Sequence, residues 1–554
     1  MNKRHYEAWP PGLTKTLTIP ETTVYDNLLV ATKRYPTKTA IHYYGNALTY
    51  EELLEQVEHL AGFLQRRLHI KVGDRVLLYM QNSPQYVIAT YAILRIGAVV
   101  VPSNPMNKEA ELEFHLNDCE VEVAIAGQEL YENLASLQGR TTLREIIVTS
   151  YATYLPKESE IVGLPDEVTT PEKEDLGISW SHVLNEKVEP STYVGSNKDL
   201  AALPYTSGTT GLPKGCKHTH RSFQANMFGA AHWMNATSDS VHLATLPFFH
   251  VTGMLHSMHL PLLVGSSIVI LTRWNRTHAA EMIERHKITN WVNISTMVVD
   301  FLGHPQLQEY DLSSLQRVAG GGAPLPEAVG EKLYTYLGLR YIEAYGLSET
   351  ISHTHFNPPD APKLQCLGVP SFDVDARVVD PTSLKELGTD EVGEIVINGP
   401  QLFEGYYHRP EETAKAFIEL NGKRFFRTGD MAKFDEEGYF FMVDRVKRMI
   451  NASGYKVWPS EVESLLYKHP AIEQACVIGV PDPVRGESVK ALVILHSDSV
   501  GTVTENEIIE WSKEEMAAYK YPRAIEFRTS FPTTASGKIL WRQLQEEAAR
   551  EQVK

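Results

Sequence analysis

One order of segments limits the fold of this chain more than any other feature. DRVLLYM reads as a buried strand. SPQYVIATYAILRIG follows, with Ser83 placed to cap a helix, Pro84 in its first turn and apolar residues spaced by three and four. Gly97 ends that pattern, and AVVVP starts the next apolar run. Strand, helix and strand at this spacing imply parallel strands covered by helices. The order recurs at HAAEMIERHKI followed by TNWVNIS. We therefore expect an α/β fold with mostly parallel sheets.

The texture changes after about Asp444. PSEVESLLYKHP reads as a short helix that begins with proline, QACVIGV and VKALVIL as strands, and ENEIIEWSKEEMAAYK as a second helix. This is a compact α+β unit of domain size. The junction VDRVKRMINASGYK is polar and basic, and a boundary is expected inside it near Lys447, giving domains 1–444 and 445–554. A chain of 554 residues is too long for one ordinary core, and 43% hydrophobic residues suffice to pack more than one.

Charge and cysteine usage narrow the partners. A net charge of -17 argues against a nucleic-acid surface. It does not exclude a nucleotide, because a few local donors hold a small anion inside an acidic protein. Cys119, Cys216, Cys366 and Cys476 lie far apart, with no CxxC pair and no histidine cluster at zinc-ligand spacing. They read as reduced thiols of a cytoplasmic protein. MNKRHYEAWPPG has no apolar core of a signal peptide, and the longest apolar stretch, LPLLVGSSIVIL, is too short to cross a bilayer. Peripheral membrane contact and oligomeric state, a homodimer included, stay open.

YTSGTTGLPKG, Tyr205 to Gly215, packs no core. Its glycines let backbone N–H groups converge on a ligand, Ser207, Thr209 and Thr210 add hydroxyls, and Lys214 adds a cation, a set suited to polyphosphate. A solvated loop has the same composition. A Walker loop is disfavoured, because Gly211 precedes Lys214 by three and Gly215 stands where Ser or Thr would follow the lysine.

TSGTTGLPKG resembles the phosphate-binding signature of the adenylate-forming superfamily: acyl-CoA synthetases, firefly luciferase and peptide-synthetase adenylation domains. Further matches follow in that family's order over nearly the whole chain. The resemblance implies a large N-terminal α/β domain, a small mobile C-terminal α+β domain, and a two-step reaction using ATP, Mg²⁺ and coenzyme A. Thr206, Ser207, Gly208, Thr209, Thr210, Gly211 and Lys214 would then grip the leaving phosphates.

The other motifs read in two ways each. His250 in LPFFHVTGM fits a core histidine; the resemblance makes it border the reacting carboxylate in an acyl pocket. GGGAPLP fits a tight turn; the resemblance sets adenine against Gly321, Gly322 and Ala323. In YIEAYGLSET, Tyr345 offers a ring face, Glu349 a hard oxygen for magnesium and Thr350 a phosphate donor. The match to YG-x-[ST]-E implies Tyr345 on adenine, Gly346 in the nucleotide site, Thr350 on the α-phosphate and Glu349 on Mg²⁺. RTGD, followed at the family's spacing by GYFFMVDRVKRMI, implies Asp430 and Arg445 on ribose and Lys447 as hinge. Gly454 in NASGYKVWPSEVE fits a βα turn and, by resemblance, borders the CoA tunnel. Lys538 in PTTASGKILWRQL would be the catalytic lysine of adenylation.

LPFFHVTGM and NISTMVVDFLGHP supply apolar lining for an aliphatic or aromatic acid. NISTMVV departs from the proline-bearing pattern of relatives. The N-terminal YEAWPPGLTKTLTIPETTVYDNLL resembles bacterial long-chain acyl-CoA synthetases, so a medium- or long-chain fatty acid is the first expectation. An aryl acid, or a carrier protein in place of CoA, is the alternative. A nucleotide-binding protein without catalysis is disfavoured by Lys538, Glu349 and the loop.

Overall fold

A computed structural model of the chain describes every residue except 1–3, 158–160, 193, 207–212, 446–447, 453–454, 483–484, 534–538 and 553–554. The alternation read from the sequence is present. Ser83 accepts from the Tyr86 N–H and caps helix Pro84–Arg95, with Pro84 in the first turn. Gly97 takes a φ of 71° and turns the chain into strand Val99–Pro102, parallel to Arg75–Tyr79. Every helix residue from Pro84 to Leu94 is buried, as is all of Val99–Pro102. An element apolar on all sides has no face for solvent, so both lie inside a covered sheet. Each fully buried Val, Leu or Ile side chain contributes roughly 1.5–3 kcal/mol.

Two sheets organise this part of the chain. One has seven strands, in the order His218–Thr219, Leu200–Ala202, Val99–Pro102, Arg75–Tyr79, Val123–Gly127, Glu145–Thr149 and Ile178–Ser179. The other has nine strands. Its parallel centre runs Ile342–Leu347, Arg317–Gly321, Asn290–Asn293, Val241–Ala244, Ser267–Ile270, Thr39–Tyr43. Antiparallel strands close its edges, with Ser352–Phe356 and Val369–Pro370 on one side and Asn46–Thr49 on the other. HAAEMIERHKI lies in helix Arg276–His286, which leads into Asn290–Asn293. The apolar stretch LPLLVGSSIVIL is a bend: helix Leu260–Val264, Gly265 at φ 75°, then strand Ser267–Ile270. Among the described residues no helix is long and apolar enough to cross a membrane.

Parallel strands bring their carboxyl ends to one edge. There the chain leaves Val241–Ala244 toward His250, Arg317–Gly321 toward Gly322 and Ala323, and Ile342–Leu347 toward Glu349. Open α/β sheets bind ligands at this edge.

The chain forms two compact units, one of Met1–Asp375, Asn398–Phe426 and Glu437–Tyr439, the other of Ala376–Ile397, Arg427–Glu436 and Phe440–Lys554. The first holds both sheets above. In the second, Ile472–Asp482 and Gly486–Leu495 pair antiparallel, with Ala524–Phe527 parallel beside the latter. Alternate residues of the pair serve opposite faces. Val477, Ala491 and Val493 pack with Val462 and Ile508 of helices Pro459–Leu466 and Glu505–Glu515. Cys476, Ile478 and Leu492 pack with Leu544 and Ala548 of helix Trp541–Gln552. The four cysteines are free and buried.

Candidate active site

The ends of the signature loop are tied together. Tyr205–Thr206 pairs antiparallel with Lys214–Gly215, Thr206 opposite Lys214. Ser207, Gly208, Thr209, Thr210 and Gly211 lie outside the described residues. A second segment is stitched to this stem: the Tyr407 N–H donates to Gly215 O (2.8 Å), the Lys217 N–H to Gly405 O (3.0 Å) and the Phe403 N–H to Glu349 O (2.9 Å). Tyr406 is thereby set between two of the expected site residues. Its hydroxyl donates to Glu349 Oε1 at 2.8 Å, and Lys214 Nζ stands 4.7 Å from its ring centre. Burial, and then the Glu349 charge, push the Tyr406 phenol above its usual range, so it stays a protonated donor.

The stem has its own support. Tyr205 Oη donates to Asp118 Oδ2 (2.6 Å), and Arg409 Nη2 donates to Asp118 Oδ1 (2.7 Å). Asp118 ends helix Glu109–Asp118, where a carboxylate opposes the helix dipole, so these two donors stabilise an otherwise unfavourable charge. One carboxylate thus joins the start of the loop to the segment that carries Tyr406.

The turn after Tyr345 is strained. Ile351 and Ser352 have φ values of 43° and 92°, and a β-branched residue rarely adopts such a conformation. Asn226 Nδ2 holds the turn by donating to Thr350 O (2.9 Å) and Ile351 O (3.0 Å). Thr350 is fully buried, and its hydroxyl bonds to Ser352 O (2.7 Å) and Leu347 O (3.1 Å). Its side chain closes the turn. Ser348, beside Glu349, is half-buried. At Gly346 a Cβ would stand 1.7 Å from Ser352 O. Gly346→Ala is therefore expected to destabilise the protein by roughly 3 kcal/mol or more, read as a lower denaturation midpoint; an unchanged midpoint would contradict the close approach.

Gly321 pairs with Ala344 on the neighbouring strand, while Gly322, at φ 86°, and Ala323 are exposed. Glu343 anchors this loop: Oε1 accepts the N–H groups of Leu325 (3.0 Å) and Gln365 (3.2 Å), and Oε2 that of Cys366 (3.1 Å). Burial pushes its carboxyl up to about 7. Tyr345 is mostly covered, edge-on to His355 at 5.6 Å. His250 is exposed rather than a core residue, and it precedes the π-helix Gly253–His259.

In the second unit Asp430 and Arg445 are cross-strand partners, with Nε 3.0 Å from Oδ1 and Asp430 1% exposed. Glu394 fixes the RTGD turn by accepting from Arg427 Nε (3.0 Å) and the Gly429 N–H (3.1 Å). Asp444 accepts from the Ser460 N–H (2.8 Å) at the start of helix Pro459–Leu466, and Arg448 pairs with both Asp444 (3.7 Å) and Glu463. Lys447, Gly454 and Lys538 lie outside the described residues. Strands Ile450–Ala452 and Tyr455–Val457 flank Gly454, and a bridge from Thr533 to Ile539 flanks Lys538.

Comparison with known proteins gives the family. The family model described as AMP-binding enzyme matches residues 29–407, and that of the AMP-binding enzyme C-terminal domain matches 461–538. The chain belongs to the AMP-binding enzyme family. Among relatives of this AMP-binding enzyme, a long-chain-fatty-acid–CoA ligase of Bacillus subtilis (strain 168) is 36% identical, with 97% of each chain covered. A feruloyl-CoA synthase of an Amycolatopsis species is 34% identical, covering 91% of this chain and 95% of the relative. The crystal structure of ATP-bound MatB from Rhodopseudomonas palustris superposes with a TM-score of 0.83 at 26% identity, covering 95% of this chain and 99% of that one. The expected acyl-CoA synthetase-like fold and the expected membership both hold.

Within the AMP-binding enzyme, the first unit brings together Thr206, Lys214 and Glu349, and sets Gly321 and Tyr345 on adjacent strands; the second unit joins Asp430 to Arg445. Tyr406, Asp118 and Glu343 are contributors that sequence reading missed. Tyr406 had one signal, the pair YY just ahead of the proline-started helix Pro410–Lys415.

Proposed function

We propose that this chain is an ATP-dependent carboxylic acid–CoA ligase that forms an acyl-adenylate with release of pyrophosphate, then transfers the acyl group to CoA with release of AMP. The observation that carries the reading is the row Lys214, Tyr406, Glu349 beside the tied ends of the signature loop. A carboxylate near a triphosphate meets repulsion of roughly 4 kcal/mol per charge pair at contact, for an effective dielectric near 20. Lys214 and the loop N–H groups offset that charge at the leaving phosphates, and Lys538 offsets it at the reacting carboxylate. Tyr406 orients the Glu349 carboxylate.

Glu349 is a half-buried oxygen donor, and magnesium is commonly held by one or two carboxylates plus substrate phosphates, so this residue fits that ion. When bound there, magnesium supplies charge neutralisation at the phosphates. Ser348 takes the α-phosphate contact first expected of Thr350, whose hydroxyl closes the turn. Gly321, Gly322, Ala323, Tyr345 and Gly346 receive adenine, Asp430 and Arg445 the ribose, and His250 borders the acid. Domain 445–554 rotates relative to domain 1–444 about Lys447 between the two half-reactions, and Gly454 borders the pantetheine of CoA.

A medium- or long-chain fatty acid is the first reading of the substrate, supported by the 36% identical relative named for long-chain fatty acids. An aryl acid is the second, supported by the 34% identical feruloyl-CoA synthase. Pyrophosphate release over a panel of acids, with and without CoA, tests the reading. Release with a fatty acid and thioester formation with CoA are expected. Release without thioester would point to a carrier-protein acceptor, and no release with any acid would overturn the proposal.

Asp118→Asn keeps an acceptor for Tyr205 and removes the charge that faces Arg409. It is expected to raise the KM for ATP about tenfold, the loss of one charge-assisted hydrogen bond, while the KM for the acid stays put. A lower melting temperature with unchanged ATP kinetics would make Asp118 structural only.

A further inference from the structure

Two histidines far apart in sequence, His256 and His353, meet at the strand paired with Gly346, and a third, His242, interacts electrostatically with His256. His256 belongs to the π-helix Gly253–His259, six residues past His250. His353 lies on strand Ser352–Phe356, opposite Gly346 in register, and His242 on Val241–Ala244. The His256 and His353 rings are 5.2 Å apart, and both pack on Phe356, at 5.8 and 4.3 Å. Gly229 of helix His220–Trp233 faces His353; a Cβ there would stand 3.9 Å from Nε2. All three rings are at least nine-tenths buried.

Among the described residues, His242 Nε2, both ring nitrogens of His353 and Ser257 Oγ are buried without a hydrogen-bond partner. Buried polar groups are almost always paired, and a group left unpaired costs its full desolvation. Both ring nitrogens of His353, packed against His256, and Nε2 of the electrostatically coupled His242 are thus left to receive hydrogen bonds from elsewhere. Burial lowers His242 to about 3 and His256 to about 4, and drives His353 well below the usual histidine range, so the rings are neutral at neutral pH. A neutral imidazole offers one donor and one acceptor. Neutral rings bring no counter-charge to a buried anion, so the complementary group is an uncharged oxygen function rather than a second carboxylate. A π-helical turn, uncommon in proteins and frequent at functional sites, carries the central ring.

We infer that His242, His256 and His353 form the closed end of the acyl site and recognise a neutral oxygen function (hydroxyl, methoxyl or keto) on the carbon skeleton of the acid, away from its carboxyl. The inference rests on the ligase reading above, and within either substrate reading, fatty or aryl, it makes the acid that bears such an oxygen preferred over the plain one. A plain hydrocarbon tail would leave the imidazoles unpaired, so the analogue that lacks the oxygen is bound more weakly.

The test uses matched acids: ferulic against cinnamic acid, and an ω-hydroxy fatty acid against its parent of the same length. Binding by calorimetry and AMP formation are measured in parallel on the full chain, His353→Leu and His256→Leu. In the unaltered protein, at least one oxygenated member is expected to bind about tenfold more tightly than its partner, one net hydrogen bond. Both variants should reduce that ratio toward one. His353→Leu removes unpaired polar atoms, so it is expected to melt at or above the unaltered temperature, which separates loss of recognition from loss of fold. Equal binding within every pair, or a ratio untouched by both variants, overturns the inference. Discriminating binding with no AMP from any acid would instead overturn the ligase reading alone.

Discussion

Lys538→Ala is expected to lose acyl-adenylate formation by about 10²–10³-fold and yet convert supplied acyl-AMP and CoA to thioester at close to the unaltered rate. Adenylation gathers a carboxylate against a triphosphate, and a lysine aimed at the developing charge acts only there. Thioester formation attacks a neutral carbonyl and expels AMP, with no such gathering of charge. Lys538 and Gly454 stand at opposite ends of the small domain's sequence, Gly454 between the segments Ile450–Ala452 and Tyr455–Val457 and Lys538 ahead of Trp541–Gln552. The proposal assigns them to different half-reactions. Single-turnover measurement of each half-reaction decides this. Equal loss of both would contradict the rotation of domain 445–554 about Lys447.

The second large effect is expected at Glu349. Glu349→Gln keeps the side chain's shape and an acceptor for the Tyr406 hydroxyl, and removes only the charge. Adenylate formation is expected to fall by about 10²-fold or more, with half-saturation in magnesium shifted upward. Tyr406→Phe removes the 2.8 Å bond and keeps the charge. Its loss should be nearer tenfold, the value of one hydrogen bond to a charged group. Comparable losses in the two variants would mean that Glu349 acts through its placement rather than its charge.

What the sequence disclosed was local or motif-borne. Ser83, Pro84 and Gly97 specify a helix between two strands through contacts within a few residues, and the structure has that unit with its cap and its turn. The signature loop and YGLSE were legible as strings. The direction of the Thr350 hydroxyl was not, because it follows from the left-handed Ile351 and from Asn226, more than a hundred residues earlier in the chain. Asp118 and Arg409 are 291 residues apart, and nothing near either one announces the other. His242, His256 and His353 show no ligand-like spacing. His256 and His353 meet only because the π-helix and strand Ser352–Phe356 carry them together. Glu343 looked like one more residue of a strand until three backbone N–H groups converged on it.

Asp444 and Arg448 bracket the proposed pivot from its two sides, and both fasten to helix Pro459–Leu466. A swivel between them must unhook one buried carboxylate from a helix start and from a guanidinium at every turnover. If the proposed pivot turns, it would carry its own detent, and the firmness of that catch, more than the length of the linker, would govern how long the enzyme dwells in each pose.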